Sequence, residues 1–177
     1  SASRAALASE QRTIRSYAHG ERVYTCLLID GGALPLVVPN DAQVEAGDAV
    51  TVSWPGDGTT ASFQTATPRE AALCDLMGQP QAAAEWQKYA AAALQETHST
   101  CTLRDFQPNI LPVNHWQIGA ISMDFTSGGV PYTCLLMLWR CRDGSTIAVK
   151  LNARSDIFDA KRDVVFGLIG SGMLMEK

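Results

Sequence analysis

The segment "VPYTCLLMLWRC" (130–141) restricts the possible folds more than any other part of the chain. As a strand it is apolar on both faces, with Cys134, Leu136 and Leu138 on one side and Leu135, Met137 and Trp139 on the other. Such a strand belongs inside a sheet, with cover on both sides. Its neighbours are predicted strands too. "QIGAISMDF" (117–125) alternates, with Ile121, Met123 and Phe125 on one side, and "TSGG" (126–129) turns it into the central strand. "RDGS" (142–145) reads as a type I′ hairpin through Asp143 and Gly144. The return strand "TIAVKLN" points Ile147, Val149 and Leu151 inward, and Ala148 and Lys150 outward. A helix opening at Ser155 or Asp156 follows, with Phe158, Val165, Leu168 and Ile169 on one stripe and a stop at "GSG" (170–172).

The pentapeptide YTCLL inside that strand, at 132–136, also stands at 24–28, 108 positions earlier. The repeat is either a decayed duplication or shared strand composition. The flanks, "LIDGGALPLVV" and "MLWRCRDGSTIAVKL", agree only in outline, and neither reading makes the pentapeptide a site.

The first third also reads as β. "RTIRSYAH" (12–19) and "RVYTCLLID" (22–30) flank a short "GE" connection, and "DGG" turns the chain into "ALPLVV" (33–38), where Pro35 argues for a sheet edge. "VEAGDAVTVSW" (44–54) gives a turn and then Val50, Val52 and Trp54 on one face. After the turn "PGDG" (55–58), "TTASFQTAT" places Ala61 and Phe63 together. Five short strands in a meander or small sheet are expected. The middle is helical: "TPRE" (67–70) is a capping box with Thr67 as N-cap, Pro68 at the first helical position and Glu70 reaching back to the cap amide. That helix stops at Gly78, and after Pro80 a second one puts Trp86, Tyr89, Ala90, Ala93 and Leu94 on a core-facing stripe.

These elements predict an α+β fold: antiparallel sheet or sheets packed against two or three helices, an α/β sandwich. One domain, 1–177, is expected, with a β-rich lobe over about 12–66, central helices over about 67–97 and a hairpin sheet plus helix over about 99–173.

Charge narrows the partners. Net charge is −4 and no Lys/Arg run occurs, so the concentrated positive surface that nucleic acid requires is missing. With 46% apolar residues the chain can fill a core, yet no apolar stretch approaches the roughly 18–20 residues that span a bilayer. A chain soluble as given is expected. It opens on Ser-Ala-Ser without an initiator Met, which fits removal of a signal peptide or membrane anchor as well as an added terminus.

The five cysteines (26, 74, 101, 134, 141) form no CxxC and no zinc-spaced cluster with histidine. Cys74 reads as a buried helical thiol; the other four lie in or beside strands, where an oxidising compartment would permit one or two disulfides. Cys134 and Cys141 differ by an odd number, so on one regular strand they face apart and cannot pair.

The closing portion, from "WQIGAISMDF" through "FGLIGSGM", resembles the Mog1/PsbP/DcrB-like group in its running order: a strand near an I-G-x-A pattern, a long strand, a strand after a glycine turn, then a helix with aromatic residues and a late Ile/Ser. The matching positions are Ile118, Gly119, Phe158, Phe166, Ile169 and Ser171. The resemblance covers the last third of the chain, and implies an α/β sandwich with a non-catalytic adaptor or envelope role.

A Cys/His-dependent hydrolase can be drawn from Cys134 or Cys26 with His115 and Asp124, but mid-strand apolar surroundings raise a thiol's pKa rather than activate it. No GxSxG, P-loop, GxGxxG, HExxH or EF-hand pattern is present, and no cofactor or metal is expected. The expected function is a non-catalytic binding or assembly module of a bacterial cell envelope or secretion system, such as an immunity-type inhibitor. Another protein would be its partner, and homo-oligomerisation is a second course. A cytosolic structural or adaptor subunit and the hydrolase are the alternatives. Candidate binding residues are His115 and Trp116, in the Pro-bounded loop "NILPVNHW" (109–116), and Arg140 and Arg142 at the end of the long strand.

Overall fold

A computed structural model describes residues 5, 7–17, 20–29, 31–95, 100–110 and 117–175. The fold is α+β, with two antiparallel sheets and three helices among the described residues. The small sheet holds β1 (Ser9–Ser16), β2 (Gly20–Ile29) and β3 (Gly32–Pro35) in that order, with Pro35 on an edge strand as expected.

The large sheet has seven strands. β4 (Gln43–Ala46), β5 (Val50–Trp54) and β6 (Thr59–Thr65) form one half. β7 (Cys101–Ile110), β8 (Gln117–Ser127), β9 (Val130–Arg140) and β10 (Thr146–Arg154) complete it, in the order β4-β5-β6-β10-β9-β8-β7. The predicted meander of the first third is therefore divided. Its first three strands make their own sheet; the other two, with the additional short strand β4, join the C-terminal strands through the β6–β10 pair, in which Phe63 stands opposite Val149.

β9 lies inside the large sheet with cover on both faces, as its two apolar sides require. On one face, Leu135, Met137 and Trp139 join Val50, Val52, Phe63, Val149 and Leu151. That core is closed by Leu27, Ile29 and Leu34 of the small sheet, and by Phe158, Val165 and Leu168 of α3 (Phe158–Met175). On the other face, Leu136, Leu138, Ile121 and Met123 meet Leu73 and Cys74 of α1 (Pro68–Asp75) and Trp86 and Ala90 of α2 (Ala82–Gln95). Ala148, expected to point outward, is buried in this second core because the helices cover that face too.

The capping box forms as read. Glu70 N donates to Thr67 Oγ1 at 3.1 Å, and Thr67 N donates to Glu70 Oε1 at 3.0 Å. On α2, Trp86 is fully buried, its Nε1 donates to Leu73 O at 3.0 Å, and its ring lies tilted 5.6 Å from that of Phe106. Gly119 is what admits this indole: a Cβ there would stand 2.8 Å from Trp86 Cη2 and 2.9 Å from Met77 Sδ.

Three boundaries differ from the sequence reading. Gly20 and Glu21, taken as the first turn, open β2, with Gly20 at φ 68°. The β9–β10 connection is a five-residue loop, 141–145, rather than a two-residue turn; Asp143 Oδ1 accepts from Ser145 N at 2.9 Å and from Ser145 Oγ at 2.6 Å, an Asx-type closure. α3 runs past "GSG" to Met175, since glycine inside a helix costs only about 1 kcal/mol relative to alanine. No helix among the described residues is long and apolar enough to cross a membrane.

Candidate functional site

The β1–β2 hairpin is exposed along most of its outer length. Its register sets Thr13 opposite Val23, Ile14 opposite Arg22 and Arg15 opposite Glu21. One face carries Ile14 and Arg22; the other carries Thr13, Arg15, Glu21 and Val23. All of these except Ile14, which is half-buried, are exposed, and Val23 remains 66% exposed. Tyr17, after the end of β1, is fully exposed. Among the described residues from Thr13 to Val23, only Ile14 is withdrawn from solvent, packed at the edge of the Tyr24–Cys26–Ala33 cluster. Burial begins at Tyr24 and Cys26, which close over Ala33 in a small cluster of their own.

The ribbon concentrates side chains used in protein recognition. Tyr and Arg supply most interface anchors, because each offers a large flat contact area together with polar hydrogen-bonding groups. Here Tyr17 and Val23 provide apolar area beside Arg15 and Arg22, with Arg12 at the base of the ribbon in contact with Glu10. The expected meander agrees with the order β1-β2-β3, but it does not announce how exposed the hairpin is. The available signal was the distribution of charge: Arg12 and Arg22 fall on one alternating set and Arg15 and Glu21 on the other, so charge stands on both faces toward the turn.

His115 and Trp116 lie outside the described residues. The first residues of that segment, Asn109 and Ile110, belong to β7. Arg140 is held between β9 and α1: Nη1 contacts the Asp75 carboxylate and Nη2 donates to Ala71 O at 2.9 Å. Arg142 is exposed in the β9–β10 loop, two residues further on. Thus Arg140 ties a helix to the sheet, while Arg142 faces solvent.

A second polar cluster lies where β7, β8, β9 and the β10–α3 junction meet. Thr133 Oγ1 donates to Asp124 Oδ1 at 2.6 Å and accepts from Arg104 Nη1 at 3.0 Å. With its one proton committed, Thr133 accepts from Ser155 Oγ at 2.9 Å. Arg104 also reaches Asp159 at 3.5 Å and lies 5.1 Å over the Phe158 ring. It owes this aim to a bulge: Leu103 pairs with Met123 and Asp105 with Ser122, which leaves Arg104 as the extra residue. Each polar group in the cluster has a partner, and the cluster ties the sheet to the start of α3.

Cys134 and Cys74 are not activated nucleophiles. Burial pushes Cys134 and Cys74 up to about 11. Cys26 is fully buried. Asp124, the acid of the drawn hydrolase, is engaged by Thr133 and Arg104. Among the described residues no group of His, Cys, Asp and Glu has a metal-binding arrangement.

No family model matches the chain, and no curated protein sequence matches it. Among solved structures it is similar to LpqN, described as involved in cell envelope biogenesis of Mycobacterium tuberculosis, with 16% identity, a TM-score of 0.43 and coverage of 76% of this chain and 78% of that one. It is also similar to PA94 from Pseudomonas aeruginosa, described as a protein of unknown function and putative regulator, with 9% identity, a TM-score of 0.36 and coverage of 88% of this chain and 94% of that one.

Proposed function

We propose that the protein is a non-catalytic binding module that grips another protein through the β1–β2 ribbon, in a bacterial cell envelope or secretion system. The observation that carries this reading is the exposure of Tyr17 and Val23, together with Arg15 and Arg22, toward the turn end of the ribbon. A two-stranded hairpin is only marginally stable in water by itself. Seating Val23 in a partner would remove apolar area worth about 1.5–3 kcal/mol, and Tyr17 would add a flat anchor. Arg15 and Arg22 favour a partner with carboxylates rimming an apolar patch. Arg142 is a second exposed cation for such a partner, whereas Arg140 acts through the position of α1. The Mog1/PsbP/DcrB-like resemblance of the closing portion belongs to the same proposal.

The test is capture of a saturable protein partner from the native cell by the full chain, followed by titration. Tyr17→Ser should weaken binding by about thirtyfold or more, the size expected of an interface anchor. Arg22→Glu should weaken it further at low salt. A partner retained at full affinity by both variants overturns the reading, as does a chain whose only saturable partner is a second copy of itself.

A further inference from the structure

The second core is incomplete beneath α2. Ala90 and Ala93 look across a cavity of about 240 Å3 toward Ile121 and Met123 of β8 and Cys134 and Leu136 of β9, with Lys150 of β10 also on its wall. Alanine in the middle of the helix creates this space, because a larger side chain at position 93 would reach into it. Apolar protein cavities of about 150 Å3 stay dry and accept benzene. This one is larger, with room for a chain of about six to eight carbons.

Its polar groups are few, and most are committed. The Tyr89 hydroxyl donates to Glu70 Oε2 at 2.9 Å. Lys150 is the exception. Its cross-strand neighbours are Leu136 on β9 and Ser62 on β6, so no carboxylate stands opposite it in the sheet. Among the described residues it has no ion-pair partner. An apolar chamber with one convergent polar group is the usual form of a small-molecule site, since the walls bind area and the charge fixes orientation.

We propose that this cavity binds a small apolar monocarboxylate, a medium-chain fatty acid or an arylalkanoic acid, with its chain between α2 and the sheet and its carboxylate on Lys150 Nζ. The site lies on the opposite face of the large sheet from the core that seats the small sheet, and does not depend on the ribbon.

Octanoate titrated into the purified full chain, followed by calorimetry and by the alkylation rate of Cys134, tests this. Octanoate should bind saturably and slow alkylation at Cys134; octylamine, with the same chain and the opposite charge, should do neither. Lys150→Gln should weaken octanoate at least tenfold while leaving the melting temperature in place. Ala93→Phe should fill the chamber and abolish binding. Equal binding of octanoate and octylamine, no loss in Lys150→Gln, or no saturation by millimolar octanoate each overturns the proposal. The amine control and Lys150→Gln decide the matter even if Ala93→Phe fails to fold.

Discussion

The same five residues, YTCLL, occupy β2 and β9, and the two copies meet different surroundings. Both are in the middle strand of an antiparallel trio, β1-β2-β3 and β8-β9-β10. Both direct the fourth residue, Leu27 or Leu135, into one shared core. The likeness ends at the second and third residues. Thr133 is fully buried and joins Arg104, Asp124 and Ser155, whereas Thr25 is half-buried and accepts one hydrogen bond from Gln11 at 2.9 Å. Cys134 lines the cavity under α2, while Cys26 closes a small cluster with Tyr24 and Ala33. Nor do the registers superimpose: Tyr24 is the fifth residue of β2 and Tyr132 the third of β9. Shared strand composition accounts for the repeat better than an aligned duplication does. Identical residues become a scaffold in one setting and, in the other, the root of an exposed ribbon. Neighbours decide which.

The largest effect should come from the scaffold side. Gly119→Ala drives a methyl group into Trp86, which cannot retreat while Nε1 is bonded to Leu73 O. Overpacking of this kind costs about 1–3 kcal/mol, and Trp86→Ala, which empties the same site, about 3–5 kcal/mol, both measurable by urea unfolding. A paired substitution then separates the copies directly. Thr133→Val strips the cluster of its central hydroxyl and should cost about 1–3 kcal/mol, against less than about 0.5 kcal/mol for Thr25→Val. Equal losses would erase the distinction drawn between the two strands.

A smaller effect is expected with pH. Burial alone would raise the Asp57 carboxyl, but hydrogen bonds from Thr59 and Lys161 outweigh it and bring it to about 2. Lys161 Nζ lies 2.9 Å from Asp57 Oδ2 and 4.7 Å over the Trp54 ring, so this pair pins α3 to the β5–β6 turn. A folded value below the ordinary 3.9 stabilises the fold above about pH 4, and that contribution is lost as pH falls toward 2. Asp57→Asn should therefore flatten the stability profile between pH 4 and 2, by about 1 kcal/mol after allowance for solvent screening. The smallest effect should be at the ribbon, where Tyr17→Ser should shift stability by less than about 0.5 kcal/mol. A large loss there would mean that the side chain packs against the body.

The sequence made local structure legible. The two apolar faces of β9 required cover on both sides, and "TPRE" specified the start of α1 down to its hydrogen bonds. It did not disclose the β6–β10 pairing, because strands about 85 positions apart carry no turn chemistry to announce their register. Nor did it give the Arg104–Asp124–Thr133–Ser155 cluster, whose members come from distant segments and meet only through a bulge in β7. The pairing of β1 with β2 was legible, but its exposure was not: Ile14 and Val23 stand on opposite faces, and an apolar residue on each face does not tell which is covered.

Residue-resolved amide hydrogen exchange on the full chain tests the contrast between scaffold and ribbon most directly. Amides of β9 from Thr133 to Trp139 should exchange only through global unfolding. Those of Thr13–Ser16 and Gly20–Val23 should exchange at least about a hundredfold faster, through local opening. Equal protection along β2 and β9 would contradict the account, since it would mean that the ribbon is as firmly held as the core.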